Sequence, residues 1–109
     1  MEWIPLENTE QLAALNEASH TRPQLIYKHS TRCGISSMAK NRLYKNELPG
    51  GIDFYYLDLI RYRDTSNKVA EMYGVRHESP QVLLIKNGEC VYHESHTAIY
   101  MDDILAAAM

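Results

Sequence analysis

Gln24-Leu25-Ile26-Tyr27-Lys28-His29-Ser30-Thr31-Arg32-Cys33-Gly34-Ile35-Ser36 carries the reading of this chain. Gln24 to His29 follows a proline and is dense in branched and aromatic residues, as a strand is. Ser30 to Gly34 is a polar turn. From Cys33 to about Glu47 a helix fits, with Met38, Leu43 and the basic residues Lys40, Arg42 and Lys45 distributed around it. Leu48-Pro49-Gly50-Gly51 stops it. A cysteine therefore stands where a strand has ended and a helix opens. The unpaired N–H groups of a helix start stabilise negative charge on sulfur. Arg32, with Lys28 and His29 a few residues back, adds basic groups nearby. All of this favours the thiolate, the nucleophile of disulfide exchange. A free cysteine is also a small packing residue, but polar flanks and a loop-to-helix junction point to chemistry instead.

Working outward, Asn8 caps a first helix with Gln11 three residues on, and Leu12 and Leu15 give it one narrow apolar face before Pro23. Ile52 to Leu59 is aromatic and branched, and reads as a second strand. Thr65 or Ser66 caps a helix through Tyr73, with Val69, Met72 and Tyr73 facing inward and Gly74 as its terminal glycine. Pro80 opens Gln81 to Ile85, apolar on both faces as a buried strand is. Asn87-Gly88 signals a type I′ hairpin turn, with Glu89 to Glu94 as the returning strand. A last helix spans Tyr100 to Ala108, with Asp102 and Asp103 where the helix dipole favours acids. Helical crossovers follow each of the first two strands, so those successive pairings are expected to be parallel, and the final hairpin antiparallel. The expectation is a single α/β domain over residues 1–109, with a central mixed four-stranded sheet flanked by helices on both faces. The thioredoxin-like fold has this order of elements.

The 109 residues suffice for one core without disulfides or metals, and 45% hydrophobic against 23% charged residues is a globular balance. No apolar run reaches membrane-spanning length, and the start, Met1 to Glu7, lacks a secretory pattern. A net charge of -3 argues against a nucleic-acid footprint. Two cysteines allow at most one bridge, and a chain this size does not need one, so a reducing, cytoplasmic setting is the default; a monomer is expected, with neither membrane nor nucleic acid as partner.

Two-cysteine redox sites read C-x-x-C, whereas Cys33-Gly34-Ile35-Ser36 puts a hydroxyl where the second thiol would be. Ser36 can hydrogen-bond a thiolate but cannot resolve a mixed disulfide. The site is thus limited to exchanging one thiol adduct for another, with a second thiol from solution closing the cycle. Thr31, Arg32, Gly34 and His29 form the expected surroundings of the sulfur. In thioredoxin-like folds a cis proline begins the strand that faces the active cysteine. Pro80 holds that position and Ser79 precedes it, offering backbone groups to an extended substrate. The expectation is a cis Ser79–Pro80 bond with Pro80 facing Cys33. His77 and His29 flank the site, either adding positive charge or bonding to backbone. Arg61 or Arg63, around Tyr62, could fork onto the carboxylates of a small thiol, or be solvated loop arginines. Cys90, next to the hairpin turn, reads as packing rather than as a resolving thiol. His93 and His96 with Cys33 or His77 match no standard zinc spacing, so no metal is expected.

Lys28 to Ser36, Tyr56 to Arg61 with Ser66-Asn67, Arg76-His77-Glu78-Ser79-Pro80-Gln81, and Tyr92 to His96 before a terminal helix together resemble the monothiol bacilliredoxins. The resemblance covers nearly the whole chain. It implies removal of bacillithiol from S-bacillithiolated protein cysteines, with Cys33 taking up the adduct. Bacillithiol or another low-molecular-weight thiol would be co-substrate, thiolated cytoplasmic proteins the targets, and a separate disulfide reductase a further partner. One position departs: the family commonly has proline after the active cysteine, where this chain has Gly34. Gly34 also makes the motif similar to the C-G-F-S site of monothiol glutaredoxins, which carry an iron–sulfur cluster between two subunits. The glycine-glycine-x-aspartate run that those proteins use to hold glutathione is missing here. A cluster carrier or a non-enzymatic partner-binding module is the alternative.

Overall fold

Apolar residues on both faces of two adjacent strands dictate the architecture. In a computed structural model, which describes residues 2–32 and 34–109, all six residues of Gln24–His29 are buried, as are five of six in Gln81–Lys86. Such strands need cover on both sides. The elements run β1 (Ile4–Pro5), α1 (Thr9–Ala18), β2 (Gln24–His29), α2 (Gly34–Tyr44), β3 (Asp53–Asp58), α3 (Arg63–Tyr73), β4 (Gln81–Lys86), β5 (Glu89–Ser95), a short 3-10 turn at His96–Ala98, and α4 (Met101–Ala108). The sheet order is β1-β3-β2-β4-β5.

Strand alternation divides the core in two. Leu25, Tyr27, Phe54, Val82 and Leu84 pack with Ala39 and Leu43 of α2 and Met101 and Ile104 of α4. Ile26, Leu57, Leu83 and Ile85 pack with Leu12 and Leu15 of α1 and Val69 of α3. Each fully buried Leu, Ile, Val or Phe contributes roughly 1.5–3 kcal/mol, so both layers hold the central strands.

Two expectations about the sheet are corrected. It has five strands, not four. β1 is a two-residue edge strand on β3, where Pro5 needs no ladder donor, and Leu6 N–H closes the pairing onto Tyr56 O at 2.9 Å. Two residues are too few to show alternation. Further, β4 does not pair with β3. It lies antiparallel to β2, with Lys28 opposite Gln81. The other edge of β3 is taken by β1, and residues 74–80 deliver Pro80 to the His29 end of β2. The parallel β2–β3 pairing and the antiparallel β4–β5 hairpin are as expected.

Local signals vary in accuracy. Asn8 Oδ1 accepts from Gln11 N at 2.7 Å, while Gln11 Oε1 accepts from Glu7 N. Asn87 and Gly88 have φ of 53° and 77°, the two positive values that a type I′ turn requires. Gly74 ends α3 in the left-handed region at φ 64°. That helix, however, starts at Arg63 with Tyr62 as an uncapped entry, and Thr65 and Ser66 are buried within it. Val69 and half-buried Tyr73 face inward, but Met72 is exposed at the rim of the stripe. α2 ends at Tyr44, short of Glu47.

Candidate active site

His29 lies opposite Asp58 across the β2–β3 pair, and Lys28 lies opposite Gln81 across the β2–β4 pair. The register therefore gathers three segments at one end of the sheet: Ser30 to Arg32, leading to Cys33; Leu59 to Tyr62, leading into α3; and Arg76 to Pro80. Open α/β sheets hold ligands outside the carboxyl ends of their strands. Cys33 itself lies outside the described residues, so the expectations that concern its sulfur, including its contact with Pro80, are carried by sequence position.

Ser36 is fully buried in the first turn of α2. Its Oγ accepts from Ser30 N–H at 3.3 Å and sits 3.4 Å from Ser79 Oγ. One hydroxyl thus joins the turn before Cys33, the first turn of α2, and the residue that precedes Pro80. The Ser79–Pro80 bond is cis. Pro80 is buried, and its carbonyl accepts from His96 N–H at 3.0 Å. Thr31 and Arg32 are exposed, with Arg32 N–H donating to Ser30 Oγ at 3.4 Å. Gly34 is the first residue of α2 and a Cβ there would meet nothing within 4 Å, so neither turn geometry nor crowding requires glycine.

His29 is buried and points, with Tyr27, to the α2 face. The Tyr27 hydroxyl donates to Ser36 O at 2.8 Å and lies 3.1 Å from His29 Nδ1. Burial pushes the imidazole below its ordinary 6.5, helped by the nearby Lys40 charge and opposed by Asp58 and the Ser36 carbonyl. His29 thus bonds a side-chain hydroxyl, and its lowered pKa leaves the ring neutral at pH 7.

Lys28 corrects another expectation. It supplies no exposed charge beside the cysteine. Alternation sends it to the α3 face, where it has no exposed surface and donates from Nζ to Ser66 O at 3.1 Å. Half-buried His77 reaches it from the third segment, with Nδ1 at 3.3 Å from Nζ. A lysine inside a strand with every residue buried was the available signal. Arg61 is exposed, its guanidinium over the Tyr62 ring at 5.4 Å. It lines a hollow of about 250 Å³ with Glu7, Tyr62, Arg63, Asp64 and Thr65. Among the described residues no hydrogen bond or ion pair connects it to Ser36, Ser79 or Pro80.

Cys90 is half-buried on β5. Its thiol donates to Tyr92 O at 3.3 Å, and burial pushes its pKa above the ordinary 9.0. Among the described residues, no three histidine, cysteine or carboxylate side chains converge as a metal site. No helix is long and apolar enough to cross a membrane.

Comparison with solved structures gives the class. A protein described as a candidate oxidoreductase with a thioredoxin fold is 31% identical, with a TM-score of 0.85 over 97% of this chain and 93% of that one. The thioredoxin of Malassezia sympodialis matches at 19% identity and a TM-score of 0.74, over 98% of this chain and 88% of the other. The reduced thioredoxin pre-protein of Schistosoma mansoni matches at 19% and 0.70, over 100% of both. The fold is thioredoxin-like, and the 31%-identical oxidoreductase goes with a thiol redox role. The sequence model of the family described as monothiol bacilliredoxin BrxC matches residues 4–104. The chain belongs to the monothiol bacilliredoxin family.

Proposed function

We propose that the chain removes bacillithiol from mixed disulfides on protein cysteines. The observation that carries the reading is the match of the family over nearly the whole chain, with a buried serine hydroxyl in place of a second thiol. In the first step the Cys33 thiolate attacks the bacillithiol sulfur of a protein mixed disulfide. A new disulfide joins Cys33 to bacillithiol, and the protein cysteine leaves as thiolate and takes a proton from solvent. In the second step a free bacillithiol thiolate attacks the bacillithiol sulfur held on Cys33. Cys33 leaves as thiolate and bacillithiol disulfide is released for a separate reductase. Electrons balance in both steps, since each is one thiol–disulfide exchange.

The residues divide as follows. Cys33 is the nucleophile. Ser36 orders the turn and, with the start of α2 and Arg32, stabilises the sulfur's charge. Thr31 and Gly34 leave the approach open, and neutral His29 braces Ser36 through Tyr27. Ser79 and Pro80 present backbone to an extended target segment, as strand addition does, and His77 supports them. Arg61 is offered to the carboxylates of the small thiol. The targets are thiolated proteins of the cytoplasm, met by a monomer.

Intact mass after separate exposure to oxidised bacillithiol, glutathione and coenzyme A tests the reading. The expected result is a single bacillithiol adduct on Cys33, formed fastest and lost on addition of free bacillithiol. Faster, reversible loading by glutathione or coenzyme A would replace the small thiol. Absence of any adduct on Cys33 would end the exchange mechanism.

A further inference from the structure

Lysine is almost never fully buried without a charged partner. Lys28 is fully buried, and among the described residues no carboxylate forms an ion pair with it. Its ammonium instead joins two segments that meet nowhere in sequence: the Ser66 carbonyl in the first turns of α3, and His77 in the loop that leads to Pro80. That loop is braced elsewhere by Glu78 on His96 at 2.9 Å, by His96 N–H on the Pro80 carbonyl, and by Gln81 Nε2 on the Arg76 carbonyl at 2.9 Å. The His77 contact ties the loop to β2 and, through the same ammonium, to α3.

We propose that Lys28 and His77 are positioning residues, whose hydrogen bond holds the Arg76–Pro80 loop so that Ser79 can pair with the backbone of a protein substrate. This rests on the exchange reading above. Ser79 also touches Ser36, so a displaced loop changes the space beside the turn that leads to Cys33. A protein target that needs the Ser79 backbone is affected most; a small disulfide that needs only the sulfur is affected far less.

The bond has a defined protonation state. An ammonium only donates, so His77 Nδ1 accepts and its proton sits on Nε2. Charged groups facing this pair are Arg63 of α3 and Glu78 of the loop. Burial first, then Lys28 and Arg63, pull His77 below its ordinary 6.5, with Glu78 opposing. Burial, then Arg63, lowers Lys28 to about 8. At pH 7 a cationic lysine therefore faces a neutral histidine. Acid that protonates His77 sets two cations 3.3 Å apart and releases the loop.

The test uses the intact chain with two substrates, a bacillithiolated protein and bacillithiol disulfide. Lys28→Met and His77→Leu should each raise KM for the protein roughly tenfold, the loss of one hydrogen bond to a charged group. Turnover of the small disulfide should fall far less than turnover of the protein. His77→Asn, whose Oδ1 keeps an acceptor at the Nδ1 position but cannot titrate, should keep the parent KM and abolish its rise in acid. NMR titration gives a readout free of activity: Lys28→Met should move the His77 midpoint up toward 6.5. An unmoved midpoint, an unchanged KM in folded His77→Leu, or equal losses on both substrates would overturn the proposal. Failure of the parent on both substrates would instead sink the exchange reading, and the titration would still decide the Lys28–His77 bond.

Discussion

A single buried lysine costs this fold stability at neutral pH. Lowering Lys28 from 10.5 to about 8 corresponds to a penalty of up to ~3 kcal/mol, offset in part by its hydrogen bonds at ~1 kcal/mol each. The folded pKa lies below the unfolded one. Between about 8 and 10.5 the unfolded chain therefore binds more protons, and stability rises with pH; below that window the penalty is constant. Lys28→Met is expected to be at least as stable as the parent at pH 7, and its urea midpoint should lack the Lys28 share of the rise from pH 8 to 10.5. A rise identical to the parent's would show that Lys28 titrates normally. His29 gives the corresponding acid limb. Its folded pKa lies below 6.5, so protons bind the unfolded chain first and stability falls as pH drops through that value. His29→Phe should lessen the fall below pH 6.5, read from thermal midpoints; an unaltered slope would count against a buried neutral ring. The sequence placed both residues near the cysteine but gave them the same role. Period-two alternation sends Tyr27 and His29 to one face and Lys28 to the other, and that distinction follows once the strand is known to be buried on both sides.

Elements differ in how openly the sequence declares them. The Asn87-Gly88 turn is legible because few residues accept two positive φ values. The edge strand Ile4–Pro5 is not, since its pairing depends on an unoccupied edge of β3. Crossover rules gave the direction of β3 beside β2, yet they do not say on which side of β2 the next strand falls. That choice is made by residues 74–80, which return the chain to the His29 end. The start of α2 offers a clean test of local energetics. Gly34 lies there with open space around its missing Cβ and without positive φ. Gly34→Ala removes backbone freedom from the unfolded chain and should raise stability by about 0.5 kcal/mol. Chemical denaturation should show an upward shift of the midpoint with unchanged slope. A lower midpoint would mean that the backbone at 34 needs glycine after all.

At the scale of the whole molecule, the sheet sets how far apart the two cysteines can act. Cys90 pairs with Ile85, and Ile85 with Gln24, so Cys90 sits at the Gln24 end. The turn that carries Cys33 leaves from the His29 end. Five steps of strand separate these ends, roughly 17 Å, whereas a disulfide needs Cα atoms within ~7 Å. Moving Cys90 that far would require β5 to leave β4, with the loss of its ladder and of the packing of Tyr92 against the α2 side. Burial also holds the Cys90 thiol above 9.0, which leaves little thiolate at neutral pH. Three outcomes follow from one set of variants. Cys33→Ser should abolish adduct exchange. Cys90→Ser should retain most of it. Oxidation of the parent should leave a monomer whose mass shows no loss of two hydrogens, with any adduct confined to Cys33. An internal bridge in high yield would contradict the strand register and replace the one-thiol mechanism with a two-thiol one.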